Sequence, residues 1–147
     1  MTAKQISLPE HSQCCGCKAC ADVCAHNAIS FEMDKEGFEY PIINTELCVG
    51  CGRCKRVCPV LHKHDEKVSP QRVMAVKNKN DDILMQSSSG GVFSAIAETV
   101  IEDGGVVFGV EYDDKIHAVF GKASKIEHLT SMRGSKYVQA DAAGVYS

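Results

Sequence analysis

Apolar and polar residues alternate in two short runs of the chain, Ile29, Phe31 and Met33, then Phe38, Tyr40 and Ile42, with "DKEG" between them. A period of two is that of a half-buried strand, and Gly37 suits the positive φ of a tight turn. The pattern predicts a β-hairpin with one apolar face. Further along, the period changes. Val92, Phe93, Ile96, Ala97, Val100 and Ile101 fall on a helical stripe, with Ser89 as the expected N-cap and Gly104-Gly105 as the stop. Residues 72–78 ("RVMAVKN"), 106–112 ("VVFGVEY") and 116–123 ("IHAVFGKA") read as strands. "SKIEHLTSM" reads as a short helix capped by Ser124, with Glu127 three residues on. The order β-α-β-β-α predicts a partial α/β layer in the C-terminal half. With the hairpin in front, the fold class is α+β.

What the hairpin covers is written in the cysteines. Cys14-x2-Cys17-x2-Cys20-x3-Cys24 reappears 34 positions later as Cys48-x2-Cys51-x2-Cys54-x3-Cys58, and no cysteine follows Cys58. A disulfide framework has no use for two identical runs of this kind. Structural zinc takes paired C-x2-C knuckles, four thiolates to an ion, and does not require a third cysteine directly after each pair. Two 4Fe–4S clusters do. Three thiols at this spacing can wrap one face of a cube, and the small Gly16, Ala19, Gly50 and Gly52 let backbone N–H groups approach the sulfides. The fourth cysteine lies roughly 6 Å further along a helix and is better placed for the neighbouring cube. The expected ligand sets are therefore Cys14, Cys17, Cys20 and Cys58 for one cluster, and Cys48, Cys51, Cys54 and Cys24 for the other. Such paired clusters with no open metal position suit electron transfer. Pro59 follows Cys58, whereas Ala25 follows Cys24, and Cys15 is left over as a ninth thiol with the bland reading of a small loop residue. Lys18, Arg53, Lys55 and Arg56 crowd the runs, either adjusting the cluster potential, docking an acidic partner, or simply facing water. His26, His62 and His64 receive no role.

Composition narrows the setting. The 147 residues are 44% hydrophobic and 24% charged, with a formal charge of −3 and no basic stripe, which argues against nucleic acid as a partner. No apolar run reaches the length of a membrane span, and "MTAKQISLPEHSQ" has no apolar signal region. A reducing, cytoplasmic setting is expected for so many thiols. The cysteine-bearing piece is assigned to residues 1–66 and a polar linker to 67–71, within "HKHDEKVSPQ"; residues 72–147 form the second piece. In that piece "SSSGG" (87–91) opens a helix, and either caps it or offers free N–H groups to an anion. "MRGSKY" (132–137) is equally open: Arg133 and Lys136 hold a phosphate or sit in water.

The dicluster cysteines, followed by "SSSGGVFSAIAETVIEDGGVVFGVEYDD" and "LTSMRGSKYVQAD", resemble the family of beta subunits of deazaflavin-dependent (coenzyme F-four-twenty) hydrogenases and dehydrogenases. The resemblance implies an iron–sulfur flavoprotein, an oxidoreductase subunit passing electrons between two 4Fe–4S clusters, FAD and a deazaflavin or another redox partner. It also implies that Ser88, Ser89, Gly90 and Gly91, with Arg133, Gly134, Ser135 and Lys136, contact the flavin. The alternative is a stand-alone dicluster ferredoxin whose second piece only docks a partner.

Overall fold

Strands β1 (Ile29–Met33) and β2 (Glu39–Ile43) pair antiparallel, with Ile29 opposite Ile43, Phe31 opposite Pro41 and Met33 opposite Glu39. Asp34 makes the turn: its Oδ1 accepts from the N–H groups of Glu36 and Phe38, and Gly37 takes φ 89°. The hairpin thus forms where the alternation places it, but the face of β2 is shifted by one residue. Residues directly opposed in an antiparallel pair share a face, so Pro41 and Ile43 join Phe31 and Ile29. The expected set of Phe38, Tyr40 and Ile42 falls on the other side, where Tyr40 stacks on His11 with ring centroids 4.1 Å apart. Met33 is 69% exposed and adds nothing to the apolar face.

The computed structural model describes residues 6–62 and 72–146, so the linker expected at 67–71 lies outside the described residues. Two units are distinguished, Met1–Glu66 together with Asp141–Ser147, and Lys67–Ala140. The sequence pattern places 141–147 with the second piece; residues 141–146 pack in the first, where Asp141 pairs with Lys18 and the Gly144 and Tyr146 N–H groups donate to Asp22. Besides the hairpin, the first unit holds two one-turn helices, α1 (Ala19–Asp22) and α2 (Arg53–Arg56). The duplicated cysteine runs are duplicated in backbone too: each helix starts from a left-handed residue, Lys18 at φ 61° and Gly52 at φ 72°, 34 positions apart.

In the second unit, helices α3 (Asp81–Met85) and α4 (Val92–Glu102) precede strands β3 (Val107–Tyr112) and β4 (Ala118–Ala123), and α5 (Leu129–Met132) follows a 3-10 turn. β3 and β4 pair antiparallel, with Asp113 repeating the turn device of Asp34 by accepting from Lys115 and His117. Ala97 of α4, Ala123 of β4, and Leu129 and Met132 of α5 form the buried cluster, flanked by Ile101 and Val107. Several local expectations change here. Residues 72–78 do not form a strand; they are irregular and are tied to the 87–91 turn where Asn78 N–H donates to the Gly90 carbonyl at 2.7 Å. α3 has no counterpart in the sequence reading, and arises because the Asn80 side chain accepts from Asp82 and Ile83 N–H as an N-cap. The N-cap of α4 is Gly91 at φ 70°, not Ser89, and no side chain caps that end. The helix at 124–132 is likewise uncapped by Ser124: its 3-10 turn starts from Lys125 without a side-chain bond.

Candidate functional site

The cysteines of the first unit line two narrow cavities. One is walled by Cys14, Cys17, Cys20 and Cys58 together with the ninth cysteine, Cys15, and the other by Cys24, Cys48, Cys51 and Cys54. Cys58 therefore stands with the first run and Cys24 with the second. Each local run contributes three thiols through its left-handed loop, and the short helix that follows carries the fourth to the other cavity. One face of the hairpin roofs both: the opposed pair Phe31 and Pro41 lies on the first cavity, and Ile29 and Ile43 lie on the second.

The donor set fits a cluster. Among the described residues, no three His, Cys, Asp or Glu side chains are arranged to hold a single ion; four thiols spread over a cavity wall suit a body with several metal corners. Burial pushes the Cys20 thiol up to about 12, with the Cys17 charge adding to it, and burial also raises Cys17 and Cys54. Such thiols stay protonated until a metal is bound, and metal coordination deprotonates a thiol outright.

In the second unit, a cavity of about 700 Å³ is lined by Met74, Ala75 and Val76, by residues 87–93, and by Met132, Arg133, Gly134 and Ser135. That volume is within the range of small-molecule and cofactor sites. Seven of the eight sequence candidates thus meet on one cavity, and the hydroxyls of Ser88 and Ser135 stand 3.4 Å apart across 47 residues. Lys136 does not line it; its Nζ donates to the carbonyls of Ser131 and Arg133 and so pins the loop. The closeness of residues 74–76 to the turn depends on Gly90, where a Cβ would meet the Val76 carbonyl oxygen at 2.5 Å.

Comparison with known proteins decides the family. The profile described as the N-terminal part of the coenzyme F420 hydrogenase/dehydrogenase beta subunit matches residues 73–146. The chain belongs to the family of coenzyme F420 hydrogenase/dehydrogenase beta subunits. Ahead of that match, profiles of 4Fe-4S dicluster domains cover residues 13–61 and 40–92 of this beta-subunit chain. Its N-terminal unit is an iron–sulfur electron-transfer module. One subunit of the F(420)H(2) dehydrogenase of Methanosarcina mazei is 24% identical over 93% of the chain and 42% of that protein. The ferredoxin-type protein NapF of Haemophilus influenzae is 43% identical over 30% of the chain and 25% of that protein. Ferredoxin 7Fe of Hydrogenibacillus schlegelii is 32% identical over 48% of the chain and 87% of that protein. The chain spans less than half the length of the Methanosarcina and Haemophilus relatives.

Four residues of the beta-subunit chain had no signal in the sequence pattern. In the second unit, Gln86 Oε1 accepts from Arg133 Nη1 at 2.7 Å and the fully buried Ser94 Oγ accepts from Arg133 Nε at 3.0 Å, so the guanidinium is held at the cavity. In the first, Asp22 accepts from the Gly144 and Tyr146 N–H groups, and Asp141 pairs with Lys18 at 2.7 Å. Long-range polar pairs of this kind have no periodicity to betray them.

Proposed function

We propose that Cys14, Cys17, Cys20 and Cys58 ligate one 4Fe–4S cluster and Cys48, Cys51, Cys54 and Cys24 the second, within an oxidoreductase subunit that also holds FAD. The observation that carries the reading is the division of the eight run cysteines between two cavities, four to each, with the last cysteine of either run exchanged. Bound clusters supply one-electron transfer; the chain's own contribution is to hold the thiols at fixed spacing, keep water off them with the hairpin, and leave no ligand position free for substrate.

FAD is proposed for the second-unit cavity. Its phosphates would find the uncapped N-terminus of α4, where the first N–H groups carry no side-chain partner, together with the Ser88 and Ser135 hydroxyls and the fixed Arg133 guanidinium. Met74, Val76 and Phe93 offer apolar surface for the ring system. FAD held there would supply electron exchange with a deazaflavin or a partner subunit, and a reducing cytoplasm would keep the thiols free. Among the described residues no helix is long and apolar enough to cross a membrane. A second reading, a dicluster ferredoxin whose second unit only docks a partner, is favoured by the likeness of residues around the cysteines to ferredoxin-type proteins.

Anaerobic reconstitution is expected to give about eight irons and eight acid-labile sulfides per chain, four of each per cluster. Zinc without sulfide would sink the cluster reading. Incubation with FAD followed by gel filtration separates the two functional readings: a retained, heat-releasable flavin supports the flavoprotein, and none supports the ferredoxin.

A further inference from the structure

Besides Ala25 against Pro59, the two halves of the cysteine repeat differ at a left-handed position. Lys18 stands where the second run has Gly52, and both residues are left-handed. Glycine takes that conformation freely, whereas a side chain disfavours it. Lys18 is nonetheless there, only 8% exposed, with Nζ 2.6 Å from Glu39 Oε2 and 2.7 Å from Asp141 Oδ1. Its ammonium lies 5.3 Å from the centre of the Phe31 ring, and both side chains line the Cys14–Cys17–Cys20–Cys58 cavity. Neither carboxylate lines it. The other cavity has Arg53 on its wall, but that side chain is exposed and its charge is screened by water.

Reduction of a cluster adds one electron and no proton, so a buried cation beside it favours the reduced form more than an exposed one does. We propose that Lys18 is a positioning residue that sets the two clusters apart, its buried ammonium raising the potential of the cluster in the first cavity while Glu39 and Asp141 hold it there. Asp141 opens a segment whose far end is fixed by Asp22, which accepts from Gly144 and Tyr146 N–H at the other end of α1. The 141–146 strap thereby keeps one of the two acceptors in register with Lys18. The inference rests on the ligand sets proposed above.

The test is an EPR-monitored redox titration of the anaerobically reconstituted full chain, with dithionite as reductant, beside iron and sulfide analysis. Lys18→Met is expected to lower the potential of one cluster and leave the other nearly in place. Asp141→Asn, which removes an opposing negative charge, is expected to raise the potential of that same cluster, and Lys18→Arg to restore behaviour close to the original. A residue that merely braced the loop would not give opposite shifts. With iron content intact, unchanged potentials, or shifts of the same sign in Lys18→Met and Asp141→Asn, overturn the proposal. Should Lys18→Met fail to hold its clusters, Asp141→Asn alone decides: a rise supports the proposal, and no change or a fall overturns it. Absence of iron and sulfide from the unaltered chain overturns the ligand sets themselves, a failure distinguishable from the others by analysis alone.

Discussion

Arg133 Nε donates to Ser94 Oγ at 3.0 Å, joining the loop after α5 to the buried side of α4. Removing that acceptor leaves a part-buried guanidinium N–H without its partner. Ser94→Ala is expected to lower the unfolding free energy by about 1–2 kcal/mol, read as a reduced urea midpoint at unchanged slope. The same change is expected to weaken FAD retention, since Arg133 loses one of the two side-chain partners, Ser94 and Gln86, that aim it among the described residues. Undiminished stability and retention would show that the contact is incidental.

The proposed exchange of the fourth ligands makes an unusual prediction for single cysteine variants. Cys58→Ser is expected to damage the cluster of the first run, although Cys58 lies in the second; Cys24→Ser is expected to damage the cluster of the second run. Each variant should retain about half the iron, four atoms per remaining cluster. Pairing Cys58→Ser with Cys17→Ser should cost no more iron than either alone, whereas pairing Cys58→Ser with Cys51→Ser should remove both clusters. Iron analysis of the two double variants checks the assignment, and the reverse pattern would mean that each run closes its own cube.

Ile116 sits at φ 66° in the β3–β4 turn and is 78% exposed, a β-branched residue in a conformation that glycine takes without strain. The equivalent turn of the first hairpin uses Gly37. Ile116→Gly is therefore expected to raise stability by about 1 kcal/mol, measured as a higher denaturation midpoint. A lowered midpoint would mean that the exposed side chain has a contact worth more than the strain.

The same turn carries a pH dependence. The His117 N–H bond to Asp113, together with the bond from Lys115, holds the carboxyl below its usual range. A depressed folded-state value means that this contribution is present above the ordinary carboxylate pKa and is lost as pH falls through the lower one. Asp113→Ala should accordingly be less stable than the parent near neutral pH, with the gap closing under acid conditions. A gap independent of pH would remove the carboxylate from the explanation.

How far the sequence leads can be traced through particular residues. The cysteine spacing is a local code, and the ligand sets proposed for the two clusters can be written from it; the structure adds that Cys58 lines a cavity with the first run and Cys24 one with the second. The hairpin is legible in its length and turn, but alternation alone places Phe38, Tyr40 and Ile42 on the apolar face. A one-residue change in phase swaps every side chain across a strand, and the pairing of Phe31 with Pro41 settles it. Proline at the paired position hides the true face, because it reads as a breaker. Residues 72–78 have the composition of a strand, yet among the described residues they find no strand to pair with, and the close approach of Val76 to Gly90 holds them instead. The flavin candidates come from family likeness; only the structure brings Ser88–Gly91 and Arg133–Ser135 to one cavity, and it moves Lys136 out of the lining.

The chain belongs to the first unit before the second begins and again from Asp141 onward. Topologically, then, everything between is an insertion into the ferredoxin-like body. Anyone wishing to excise that body as a portable electron carrier could not simply cut after the second cysteine run. Residues 141–146 would have to be grafted on as well, since without them Lys18 loses one of its two counterions and Asp22 both of its amide donors.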